Sequence, residues 1–285
     1  MNAVPAQVAG VKEIAVATPA PKGLHPSVAF VMRELGLSEA YRIGGAQAIG
    51  MLAYGTSKVE RVDKIVGPGN VFAALAKKEV FGAVDIDMIA GPSEILVLAD
   101  ETADPDWVAA DMLSQAEHGS GYEAAVCITT SSRLARWISE CAARQVEVSP
   151  KREILEKCLS HFGRIYTVKD WDLGCALADL LSPEHMEIVV KNPSALAARI
   201  SNAGAIFLGP HSSEPVGDYF AGPNHVLPTN GSARFFSPLG VYDFYKRTSL
   251  IQYSARALRR NGAAIAALAD AEGFYHHALA VRKRL

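Results

Sequence analysis

Cysteine is scarce here and poorly placed for either of its structural uses. The four thiols, Cys127, Cys141, Cys158 and Cys175, lie far apart with no Cys-x-x-Cys pair. That excludes a dense disulfide framework and a zinc knuckle, and it predicts reduced thiols in a cytoplasmic protein. A surplus of one charge sign is missing too: 28 Lys and Arg against 30 Asp and Glu leave a formal net charge of −2. With no basic stripe, neither nucleic acid nor an anionic membrane surface is expected as a partner. The one basic cluster, Arg282-Lys283-Arg284, reads as a solvated end. No apolar run reaches the length of a bilayer crossing, and Lys12 and Glu13 interrupt the apolar stretch near the start. Also absent is the Gly-x-Gly-x-x-Gly fingerprint with a later acidic residue that marks a dinucleotide fold.

What is present is apolar material, 49% of 285 residues, enough for two domains of ordinary size. Residues 1–10 look like the inside of a helical or loop element. Strands are expected at 11–18, 41–43 and 62–66, helices at 25–35, 46–54 and 71–80, with glycine turns between. A second run of the same grammar follows. Its strands are expected at 94–98, 124–129, 164–168, 187–190 and 205–208, and its helices at 107–118, 133–145, 173–181 and 194–203. Residues 146–163 read as a polar stretch and 209–237 as a long loop, of a length that is usually functional or disordered. Beyond Pro238 the pattern turns wholly helical, with Gly262 and Gly273 as breaks. The expected fold class is α/β: two Rossmann-like parallel-sheet units, the first incomplete, and a helical C-terminal tail. The expected domains are 1–92, 93–239 and 240–285.

Several clusters could carry chemistry. Asp104-Pro105 marks a helix start and Gly119 its end, so Gln115 and His118, three apart, share a face and could bind a borderline metal. A satisfied polar helix end explains the spacing equally well. The turns Gly44-Gly45 with Gln47, and Gly67-Pro68-Gly69-Asn70, join strands to helices, where an anion or a tight turn would each want glycine. Glu184-His185 offers two groups with separable proton affinities, but adjacent residues on extended chain point apart, so a turn must bring them together. Asp218 and His225 lie within the long loop, and Glu272 and His277 stand five apart in the tail.

Taken together, these segments resemble the histidinol dehydrogenase family. The resemblance rests on Gly-Gly-Ala-Gln-Ala-Ile (44–49), Val-Asp-Lys-Ile-Val-Gly-Pro-Gly-Asn (62–70) and Ile-Asp-Met-Ile-Ala-Gly-Pro-Ser-Glu (86–94). It continues through Leu-Ser-Gln-Ala-Glu-His-Gly (113–119), Pro-Glu-His (183–185) and Gly-Asp-Tyr-Phe-Ala-Gly-Pro-Asn-His-Val-Leu-Pro-Thr (217–229), in order and at matching spacing. It implies a ligand set of Gln115, His118, Asp218 and His277 for one Zn2+ per subunit. It implies Glu184 and His185 as the acid–base pair, and Gln47 and Asn70 as NAD contacts. Ser93, Gln115, His118, His185, Asp218, Glu272 and His277 are implied as contacts of L-histidinol. The implied reaction is oxidation of L-histidinol through L-histidinal to L-histidine with two NAD, the last step of histidine biosynthesis. The implied assembly is a homodimer sharing its active sites through the tail. Family chains extend further at the N-terminus, so a truncated or fragmentary chain is expected, lacking a tyrosine cofactor contact. Two alternatives are a related zinc and NAD dehydrogenase of another small alcohol, and an inactive truncated product.

Overall fold

Five parallel strands form the sheet on which the site is built. They are β5 (Glu94–Ala99), β6 (Ala124–Thr129), β7 (Gly163–Thr167), β8 (His185–Val189) and β9 (Ala205–Leu208), lying side by side as β7-β6-β5-β8-β9. The computed structural model describes residues 1–285. The strand order steps outward from β5 in one direction, then reverses at β8, which is the doubly wound pattern with its switch point between β5 and β8. Strand β5 reads as an unbroken apolar run because both its faces are covered. Ile95, Val97 and Ala99 pack on one side with α5 (Pro105–Ala116), α6 (Ser132–Val148) and α7 (Arg152–Phe162). Leu96 and Leu98 pack on the other with α8 (Trp171–Leu181) and α9 (Pro193–Ala197).

The N-terminal part shows the same grammar in shorter pieces. After α1 (Ala3–Val8), β1 (Ala15–Ala17) pairs in parallel with β2 (Glu39–Tyr41) across α2 (Pro26–Glu34). Then β3 (Lys64–Ile65) pairs in parallel with β4 (Asp85–Ile86) across α4 (Val71–Val80). These are two separate two-stranded sheets, not one. They share a core with α3 (Gly45–Tyr54), built on Ile49, Leu52, Ile65 and Val80.

The structure corrects the expected elements in several places. The polar stretch at 146–163 contains α7, an amphipathic helix whose Leu155 and Cys158 are buried. Four charged residues interleaved among its apolar ones masked the period. The loop at 209–237 contains a short helix, α10 (Glu214–Tyr219). In the tail, residues 245–254 carry no regular element, and Gly262 is no break: it lies inside α11 (Ala255–Ala271), where an added Cβ would meet Leu285 at 2.5 Å. Gly273, at φ +80, does end that helix before α12 (Tyr275–Arg282).

By contacts the chain divides into two compact units, Met1–Tyr245 and Lys246–Leu285. The second is a helical hairpin, closed by the pairing of Arg282 with Asp270.

Candidate active site

The turn that ends α8 decides where Glu184 and His185 go. Ser182 takes the left-handed conformation, φ 47, and Pro183 stops the helix. Glu184 follows, and His185 opens β8. Both side chains are then captured by one residue of the neighbouring strand. The Glu94 N–H donates to Glu184 Oε2 at 3.0 Å, and the Glu94 carbonyl lies 3.0 Å from His185 Nδ1. A carbonyl can only accept, so Nδ1 carries the proton and the Nε2 lone pair is left free. Strand β9 presses on the same turn. Ala205 N–H donates to the Glu184 carbonyl at 2.9 Å, and a Cβ on Gly204 would stand 2.5 Å from that oxygen. Glu184 and His185 therefore meet, with Oε2 and Nδ1 3.7 Å apart.

A second wall comes from α5 and α10. Asp104 caps α5 through Asp106 N–H at 2.8 Å, and the helix runs back toward the amino ends of the strands. At its last turn Gln115 is fully buried. His118 lies just past the helix, exposed, with Nδ1 3.1 Å from the Gln115 carbonyl. Helix α10 contributes Glu214 and Asp218, four apart and on one face. Glu214 Oε1 is 3.8 Å from His185 Nε2, and ligand atoms of His185, Glu214 and Asp218 all lie within 4.8 Å of one another. Gln115 lies beside the Glu214 carboxyl without hydrogen-bond geometry.

The electrostatics follow from burial among like charges. Glu184 is pushed up to about 8, first by burial and then by the negative charges of Glu94, Asp218 and Glu214, against the Glu94 N–H. Burial lowers His185 to about 4, with the Glu94 carbonyl opposing it. Burial, then the charge of Asp218, raises Glu214 to about 7. Burial likewise takes Glu187 to about 9, with the charge of Asp111 next. At neutral pH the imidazole is thus an unprotonated acceptor beside a protonated carboxyl.

These residues fit a bound cation and a polar ligand. Both amide atoms of Gln115 and Nε2 of His185 are buried without a hydrogen-bond partner. Such groups cost about 1–3 kcal/mol each unless satisfied. The local donors are oxygens and imidazole nitrogens, with no thiolate among them: every cysteine is buried elsewhere. That set suits zinc with coordination positions open to a ligand.

The site sits outside the amino ends of β5 and β8, opposite the usual ligand crevice of such sheets. The carboxyl-end switch point is closed by Asp100. Its Oδ1 accepts from Thr102 N–H at 2.9 Å and its Oδ2 from Lys191 N–H at 2.8 Å, leaving a carboxylate where an anion would bind.

A family model for histidinol dehydrogenase matches residues 1–285. The chain belongs to the histidinol dehydrogenase family. It is 53% identical to a curated histidinol dehydrogenase of Aquifex aeolicus over 284 residues, covering all of this chain and 66% of the relative. It is also 53% identical to that of Bacillus subtilis, covering all of this chain and 67% of the relative. The crystal structure of histidinol dehydrogenase from Elizabethkingia anophelis superposes with a TM-score of 0.92 at 36% identity, covering 100% of this chain and 66% of that one. The chain therefore spans about two thirds of the length of these histidinol dehydrogenases.

Within this family frame, Gln115, Glu184, His185 and Asp218 lie in one neighbourhood. Ser93 immediately precedes the clamping residue Glu94 and is half-buried. Gln47 lies in the first turn of α3, and Asn70 caps α4 through Ala73 N–H at 3.0 Å; both are exposed at the carboxyl ends of short parallel strands. Glu272 and His277 belong to the 246–285 unit. They do not share a helix, since Glu272 ends α11 and His277 lies in α12, across the Gly273 turn. Two residues escaped the sequence. Glu94 stands visibly in Gly-Pro-Ser-Glu, but its backbone role leaves no signature in residue type. Glu214 pairs i,i+4 with the expected Asp218, on a helix that Pro215 and Gly217 disguised as loop.

Proposed function

We propose that this chain oxidises L-histidinol through L-histidinal to L-histidine, as a cytoplasmic, homodimeric zinc- and NAD-dependent enzyme. The observation that carries this is His185: buried, its Nδ1 proton fixed on the Glu94 carbonyl, its Nε2 unpartnered beside Glu184. Such a nitrogen is ready to take the hydroxyl proton of an alcohol as hydride leaves the carbinol carbon. Gln115, His118, Asp218 and the tail's His277 would hold a zinc ion that orients the substrate, and Gln47 and Asn70 would hold the NAD that takes up hydride. His185 then returns its proton to the aldehyde oxygen while a water molecule adds to the carbonyl carbon. Glu184 takes the proton of that water. Burial holds this carboxyl protonated near neutrality, so it becomes a base only once positive charge in the site draws its proton affinity down. The resulting gem-diol would give one hydroxyl proton to His185 and a second hydride to a second NAD, leaving the carboxylic acid, which loses its remaining proton to solvent as the carboxylate. Ser93 and Glu272 complete the substrate contacts, and the tail of one subunit supplies the partner's site.

The test compares NADH formation from histidinol with that from other small alcohols, in the chain and in His185→Asn. Histidinol-dependent turnover that drops at least a hundredfold in the variant supports the assignment. Equal turnover of unrelated alcohols, or an unaffected variant, overturns it.

A further inference from the structure

The Gly67–Asn70 turn is tied down by a buried ion pair. Lys77 on α4 is 3% exposed and Asp87, just past β4, is 6% exposed, and the two are in direct contact. Each spends its remaining capacity on backbone. Lys77 Nζ donates to the Gly67 carbonyl at 3.0 Å, while Asp87 Oδ2 accepts Gly67 N–H at 2.7 Å and Oδ1 accepts Met88 N–H at 2.6 Å. Both polar groups of Gly67 are thus held by opposite charges of one pair. Gly67 itself stands at φ +109, a conformation that other residues rarely adopt.

Stability alone does not account for this arrangement. A buried pair recovers its desolvation poorly, and apolar residues of similar volume are often neutral or better in its place. What an apolar pair cannot do is fix a particular glycine at both its N–H and its C=O. The same Asp87 also opens the segment 87–94. Met88 is buried against Val226 and Leu239, and Gly91 N–H donates to Thr229 Oγ1 at 2.5 Å. The segment ends at Glu94, whose backbone holds Glu184 and His185. One short, anchored strap therefore joins the Gly67–Asn70 turn to the acid–base pair.

We propose that Lys77 and Asp87 are positioning residues: they set the Gly67–Asn70 turn, and with it the nicotinamide cofactor, against the substrate side of the site. This rests on the cofactor role given to Asn70. Hydride transfer tolerates little misplacement, with about 1 Å costing on the order of a hundredfold. A turn that must be ordered on binding also costs affinity.

The test uses the 285-residue chain and the double variant Lys77→Met/Asp87→Leu, which fills the volume without charge. NAD affinity is measured by titration calorimetry, zinc content by atomic absorption, and exchange of the Gly67 and Met88 amides by hydrogen–deuterium exchange. The expected result is NAD binding weaker by about tenfold or more, faster exchange at Gly67 and Met88, and zinc content retained. A polar pair, Lys77→Gln/Asp87→Asn, keeps a donor and an acceptor toward Gly67 and should recover part of the lost affinity. Should the apolar variant fail to fold, this second pair decides the matter, with NAD affinity short of wild type expected. Unchanged NAD affinity alongside faster exchange overturns the positioning role alone. Failure of the unaltered chain to bind millimolar NAD overturns the cofactor role of the turn, and this inference with it.

Discussion

At Glu94 a single residue of ordinary type does work that its side chain does not advertise. Its N–H and C=O face β8 in the parallel register that puts Ile95 opposite His185, so the strand pairing itself delivers Glu184 and His185 to one place. The consequence is testable at Gly204, whose missing Cβ lets β9 close on the Glu184 carbonyl at a separation no side chain allows. Gly204→Ala must push that turn away, with a cost of about 1–3 kcal/mol in unfolding free energy. Chemical denaturation checks the cost, and a variant as stable as wild type would contradict the packing. Glu184→Gln addresses chemistry instead. Glutamine still accepts the Glu94 N–H but cannot take a proton from water, so conversion of aldehyde to acid should fall at least a hundredfold while alcohol oxidation falls less. Separate assays with histidinol and histidinal distinguish the two, and the reverse ordering would exchange the roles given to Glu184 and His185.

Among the elements, those with strong period or clear ends were legible. Helix α5 announced itself through Asp104-Pro105 and Gly119, and β5 through its unbroken apolar run. The ends of β1 and β3 were overdrawn, because an apolar stretch forms strand only where a neighbour offers backbone groups to pair with. Helix α10 was hidden altogether: six residues with a proline and a glycine carry no period, and only docking makes them helical. That docking runs through Glu187, whose Oε1 accepts Glu214 N–H at 2.7 Å from a fully buried position on β8. This contact holds the helix that carries Glu214 and Asp218 to the site. Metal binding should therefore depend on both α5 and α10. His118→Ala and Asp218→Asn should each lower zinc content at least tenfold, and Cys127→Ser should leave it unchanged. Equal zinc in all three, measured by atomic absorption on dialysed protein, would remove these elements from the metal site.

Over the whole molecule the buried carboxyls set how stability responds to acid. Glu94, Glu184, Glu187 and Glu214 are raised to about 6, 8, 9 and 7, each first by burial. A raised carboxyl binds its proton more tightly in the folded chain than in the unfolded one. Its contribution is therefore fully present below the ordinary carboxylate range, about pH 4.5, and is lost as pH rises through the folded value. His185 is lowered to about 4 by burial, so it acts in the other direction: its folded form stays neutral, and stability is lost as pH falls from about 6.5 toward that value. Four carboxyls outweigh one imidazole through most of this window. The metal-free chain should thus be most stable near pH 5 and should melt at progressively lower temperature as pH rises toward about 8. Positive charge in the site reverses the cause, because a cation favours the ionised carboxylates that the fold otherwise disfavours. Melting curves at pH 5, 6, 7 and 8, with and without zinc, should therefore diverge most at the alkaline end, where binding to the folded state also adds stability by mass action. A metal-free melting temperature that climbed from pH 5 to pH 8 would mean that these carboxyls are ionised in the fold. His185 would then sit among ionised carboxylates, which favour its protonated form.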